Sequence, residues 1–83
     1  MYFVYVLKSI KDESTYVGYT SDLEKRLAAH NSGKTQSIKS KIPFKLIYYE
    51  AYLDIKLAII REKHLKNSRF EKTKLFQRIF ETT

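Results

Sequence analysis

The stretch "TYVGYTSDLEKRLAAHNSG", residues 15–33, changes its period halfway along. Residues 15–20 are β-branched or aromatic apart from Gly18, as a short strand requires. From Ser21 the pattern becomes helical. Ser21 and Glu24 have the spacing of a capping box, Leu23 and Leu27 give one apolar stripe, and Gly33 is a C-terminal stop. A strand that runs straight into a capped helix sets an α+β reading for the chain. Gly18 is the odd member, because a glycine weakens a strand unless something must approach its backbone closely.

Working outward, "MYFVYVLKS" (residues 1–9) is apolar on both parities, which predicts a central strand. "IKDES" (10–14) is a polar turn, so the two strands read as an antiparallel hairpin. Downstream, Pro43 ends a lysine-rich loop and "FKLIYYEAY" (44–52) is a third strand. Asp54 caps a helix over residues 55–67. Ser68 with Glu71 opens a last helix reaching about Phe80, with Phe70, Phe76, Ile79 and Phe80 expected on its buried side. The order is β-β-α-β-α-α without repeat or linker, a small sheet covered by helices, in one domain over residues 1–83.

Composition narrows the function classes. Cysteine is absent, which excludes a disulfide frame or a thiolate metal site. The first apolar run is too short for a signal sequence or a membrane span, so a cytoplasmic protein without membrane contact is expected. The net charge of +7 is unevenly placed: residues 1–33 hold four basic and four acidic side chains, residues 34–83 twelve and five. Such a surplus fits a polyanion, nucleic acid before membrane. Motifs for P-loops, Gly-rich dinucleotide turns, EF-hands, zinc proteases and nucleophile elbows are missing.

Five polar side chains sit uneasily in this frame. Tyr5 is mid-strand between Phe3 and Leu7 on its own face, and Tyr16 shares a face with Gly18. Arg26 and His30, four apart, flank Leu23. Glu62 falls inside the arc of Ile55, Ala58, Ile59 and Leu65 on a wheel of about 100° per residue, with Arg61 and Lys63 pointing away. A carboxylate facing a core must be paired, protonated or metal-bound. Each has a structural reading too: core tyrosines with hydroxyls at the rim, a bulge glycine, Arg26 with Asp22, His30 near a helix C-terminus, Glu62 with Arg61, Lys66 or Arg26.

The runs "FVYVLKS", "TYVGYTSDLEKRLAAHNSGK", "PFKLIYYE" and "AIIREKHLK", with Arg ten residues after the Tyr-x-Gly tyrosine and His four later, resemble the GIY-YIG nuclease domain, in particular its small stand-alone bacterial members. The resemblance spans about residues 2–67. It implies a three-stranded antiparallel sheet flanked by helices, and phosphodiester hydrolysis of DNA assisted by one divalent metal, Mg²⁺ or Mn²⁺. Matched by position, Tyr5, Tyr16, Arg26, His30 and Glu62 are the implied catalytic residues, with Glu62 on the metal and Gly18 the closing glycine of the second triplet. Arg26 would stabilise charge at phosphorus. Tyr5 would take a proton from water, and as a phenol with a free pKa of about 10 it would need help from Arg26, His30 or the metal. Phe3 and Val4 depart from the first triplet. Tyr19 stands where some members carry lysine, and Asn67 follows Glu62 too closely to match the family's distant asparagine.

Lys34, Lys39, Lys41, Lys45, Lys63, Lys66 and Arg69 are expected to track the DNA backbone without reading sequence. The duplex, branched or single-stranded form of the DNA is left open. A chain of this length carries no separate specificity domain, so targeting would come from DNA structure, damage or a protein partner. The competing expectations are a non-catalytic nucleic-acid-binding module that keeps the constellation as scaffold, and a protein-interaction domain.

Overall fold

The structure, a computed structural model, describes residues 1–33 and 40–81. Its elements are β1 (Tyr2–Ser9), β2 (Thr15–Thr20), α1 (Leu23–Asn31), β3 (Phe44–Tyr52), α2 (Ile55–Asn67) and α3 (Arg69–Phe80). The strands form one antiparallel sheet in the order β2-β1-β3. The central place of β1 follows from its two apolar parities. Val4 and Val6 join Ala58, Leu65 and Leu75 beneath α2 and α3, whereas Tyr5 and Leu7 join Phe44 beneath Leu23 and Leu27 of α1. Successive side chains of a strand point to opposite faces. The sheet therefore carries α1 on one side and α2 with α3 on the other.

Register places Tyr5 opposite Gly18 on β2 and Tyr49 on β3, and an irregularity between Val6 and Leu7 accommodates an extra residue of β3. The β1–β2 turn is organised by fully buried Ser9. Its hydroxyl donates to the Lys41 carbonyl at 2.6 Å and accepts from the N–H groups of Lys11 and Asp12.

Two of the three helix starts are those expected: Asp54 accepts from the Lys56 N–H and Ser68 from the Glu71 N–H. The third is shifted. Asp22, not Ser21, caps α1 by accepting from the Lys25 N–H, because the Thr20 hydroxyl accepts from the Asp22 N–H and keeps Ser21 in the turn. Gly33, at φ +77°, takes up the left-handed conformation just after α1.

The buried stripes are narrower than expected. Ile55 is 39% exposed, Phe70 70% and Phe80 44%. These residues lie in end turns of their helices, while the sheet contact is made further in by Ala58, Leu65 and Leu75. Arg61, expected on the polar flank of α2, instead turns in to Glu50 of β3. Its Nε and Nη2 donate to the carboxylate at 3.0 Å each, and Nη1 reaches Glu71 at 3.4 Å. The hydroxyls of Tyr48 and Tyr52 donate to the same carboxylate at 2.7 and 2.5 Å. Burial would raise the Glu50 pKa, yet the hydrogen bonds from Arg61, Tyr52 and Tyr48 outweigh it and hold the group below its usual range. Burial first, and donation to Glu50 second, push both tyrosines up to about 12. The network ties α2 to β3 one residue before Glu62. Among the described residues, no helix is long and apolar enough to cross a membrane.

Candidate functional site

On the α1 side of the sheet, Tyr5 is 3% exposed and its ring crosses the position opposite, which has no side chain. A β-carbon built on Gly18 would collide with the Tyr5 hydroxyl and stand 2.7 Å from its Cζ. The group that needs the bare backbone at Gly18 is thus Tyr5 itself.

The Tyr5 hydroxyl is held from α1. Arg26 Nε donates to it at 3.1 Å, and His30 Nε2 lies 3.2 Å away. Arg26 and His30 are one turn apart, so both project from the same side of the helix. Burial, and then the charge of Arg26, lower the His30 pKa below 6.5, which keeps the imidazole neutral at physiological pH. Its buried Nδ1 has no hydrogen-bond partner among the described residues. The neutral ring has two ways to meet Tyr5. It accepts the phenolic proton on Nε2, or it donates from Nε2 and leaves that proton free to point away.

Phe44 forms the floor, edge-on to Tyr16 at 5.2 Å and to His30 at 6.0 Å. Asn31 fixes Phe44 by pairing with its backbone in both directions: the Phe44 N–H donates to Asn31 Oδ1 at 2.6 Å, and Asn31 Nδ2 donates to the Phe44 carbonyl at 3.0 Å. Tyr16 is packed beside the cluster rather than hydrogen-bonded into it, with Lys41 Nζ 5.7 Å from its ring centroid. A cavity of about 230 Å³ adjoins Arg26, lined by Thr20, Ser21, Asp22, Lys25, Arg26 and Ala29.

Tyr5, Gly18, Arg26 and His30 are thus brought together, with Tyr16 alongside. Glu62 is held separately, without a bond to these groups among the described residues. It lies on α2, across the sheet, with its side chain 15% exposed and its carboxylate 3.5 Å from Lys66 Nζ. No hydrogen bond or ion pair among the described residues joins it to Tyr5, Arg26 or His30. Of the expected backbone contacts, Lys45, Lys63, Lys66 and Arg69 are exposed, and Lys41 stands 3.8 Å from Asp12. Lys34 and Lys39 lie outside the described residues. Sequence reasoning missed Asn31 and the Glu50–Arg61 pair. Asn31 leaves no sequence signal, whereas the alternation Tyr48-x-Glu50-x-Tyr52 marks a carboxylate on an otherwise aromatic strand face.

Among the described residues no group of three or more His, Cys, Asp or Glu side chains is placed to hold a metal ion. Glu62 alone fits a cation of the Mg²⁺ type, which is commonly bound through one or two carboxylates with water and substrate phosphate completing its shell. Its ion partner, Lys66, is half-exposed and not in tight contact, so the carboxylate remains open to a competing cation.

Comparison with known proteins shows the family and the fold. The sequence pattern of the GIY-YIG catalytic domain matches residues 1–74. A UPF0213 protein of Clostridium perfringens is 43% identical over 67 residues, covering 80% of this chain and 71% of its own length. Another, from Staphylococcus haemolyticus, is 38% identical over 78 residues, covering 92% and 94%. The solution NMR structure of a UPF0213 protein from Bacillus halodurans superposes with a TM-score of 0.56 at 34% identity, covering 93% of this chain and 84% of that one. The chain belongs to the GIY-YIG catalytic-domain family, a family of nucleases, and resembles its small UPF0213 members.

Proposed function

We propose that this protein is a metal-dependent endonuclease that hydrolyses phosphodiester bonds of DNA with little sequence selectivity. The observation that carries the reading is the Tyr5 hydroxyl held between Arg26 Nε and His30 Nε2. With His30 neutral and its Nε2 free to accept, the phenolic proton moves to the imidazole as Tyr5 takes the proton of the attacking water. Arg26 spends only Nε on Tyr5, leaving its Nη groups for a phosphoryl oxygen, where a planar cation stabilises the charge that develops at phosphorus. Tyr16 shapes the wall of the site with Phe44. Glu62 would hold the divalent cation, Mg²⁺ or Mn²⁺, which when bound polarises the phosphate and neutralises part of its charge. The exposed side chains of Lys45, Lys63, Lys66 and Arg69 follow the backbone.

Tyr5→Phe and Arg26→Ala test this directly. Both are expected to bind a DNA duplex nearly as well as the native protein, and to lose about two or more orders of magnitude in cleavage rate. Full cleavage by Tyr5→Phe would contradict the assignment. A second reading, a binding module without turnover, draws support from the ion pair between Glu62 and Lys66 and from there being, among the described residues, no hydrogen bond or ion pair between Glu62 and the tyrosine cluster. It predicts binding with no cleavage by any form.

A further inference from the structure

The α2–α3 side of the sheet carries a cavity that the site above does not use. It has a volume of about 230 Å³ and is lined by Arg61, Glu71, Lys74, Leu75 and Arg78. Arg61 is spent on Glu50 and Glu71. Lys74 and Arg78 make no ion pair among the described residues. They are four residues apart on α3, about 6 Å along its axis, so two like charges share one face. That arrangement is unfavourable in isolation and becomes favourable when an anion spans both. Phe70, 70% exposed, is no core residue: its ring centroid lies 5.6 Å from Lys74 Nζ and steadies the ammonium beside the cavity.

We propose that the Lys74–Arg78 edge of this cleft is a second nucleic-acid contact, taking consecutive phosphates of one strand on the sheet face opposite Tyr5, Arg26 and His30. A nucleic-acid backbone is favoured over a lone phosphate because two cations at this spacing match two neighbouring phosphodiesters, whereas Glu71 on the wall disfavours a more highly charged single anion. The proposal rests on the nucleic-acid reading above and adds to it: the strand is gripped on both faces of the sheet. Binding affinity and phosphodiester cleavage are then separable by mutation.

The test is fluorescence anisotropy of a labelled duplex in EDTA across a salt series, comparing native protein, the double variant Lys74→Gln/Arg78→Gln, and Lys72→Gln as a same-helix control, with thermal melting to confirm the fold. Loss of two backbone contacts should make the slope of log K against log salt shallower by about 1.8 and weaken low-salt binding about tenfold or more, with the control shifted far less. A double variant that keeps the native slope overturns the proposal and leaves the nucleic-acid reading intact. Absence of salt-dependent duplex binding by the native protein overturns both. Equal duplex binding by native and double variant, with loss only on vesicles of anionic lipid, assigns the cleft to a membrane surface and overturns the proposal.

Discussion

Tyr5 occupies a strand position that only a glycine neighbour permits, and this fixes the consequences of single substitutions around it. Gly18→Ala forces a methyl group against the Tyr5 ring and hydroxyl. Overpacking of this kind costs about 1–3 kcal/mol, and the ring must leave Arg26 and His30 to make room. The expected result is a lowered urea midpoint together with at least a tenfold loss of cleavage, read by denaturation and by a gel assay on the same preparation. His30 makes a prediction in pH. Its folded pKa lies below the unfolded 6.5 through burial and then Arg26, so the unfolded chain binds the proton more readily. The stability it contributes is complete above pH 6.5 and is lost as pH falls through the folded value. Cleavage should follow the same limb, extending below pH 6.5 before it declines. His30→Gln should remove that dependence, as unfolding midpoints and rates measured between pH 7.5 and 5 would show.

At the scale of elements, the Glu50 network decides how α2 lies on the sheet. Glu50→Gln or Arg61→Ala leaves a poorly solvated partner uncompensated, at a cost of about 3 kcal/mol. Two pH windows follow. The folded Glu50 pKa lies below 4.5, so its contribution is present above that value and lost as acid protonates the folded carboxylate. Tyr48 and Tyr52 are raised from 10 to about 12, so theirs is complete below pH 10 and lost as pH climbs toward 12. Urea titrations of native protein and Glu50→Gln across both windows would check this, the variant losing the acid limb. Element order and most caps were legible in the sequence because caps and strand alternation are local signals. What was not legible is long-range. A helical wheel placed Glu62 toward the sheet but did not show that Arg61 turns in to Glu50, or that Phe70 and Phe80 lie on end turns of α3 clear of the core. The Asn31–Phe44 pairing crosses from helix to strand and leaves no periodic trace.

For the whole molecule, the sheet separates two sets of groups. Tyr5, Arg26 and His30 lie on the α1 side, Glu62 comes from α2, which covers the other, and β2 and β3 are the two edge strands. The joining of Tyr5, Arg26 and His30 was legible as residue types and spacing, but the pairing of Glu62 with Lys66 rather than Arg61 was not, since it depends on which way each side chain of α2 turns. A lone carboxylate binds a hard cation weakly until phosphate supplies further oxygens. Millimolar Mg²⁺ should therefore leave the melting temperature of the free protein nearly unchanged, and should raise it once a non-cleavable oligonucleotide is present, as calorimetry can record. Turnover that depends on a metal at Glu62 is tested by nicking of supercoiled plasmid with Mg²⁺ or Mn²⁺ against EDTA, by native protein and Glu62→Ala side by side. The expected result is nicking by native protein with metal, and none with EDTA or with Glu62→Ala. Equal nicking by Glu62→Ala, or nicking undiminished in EDTA, would contradict it.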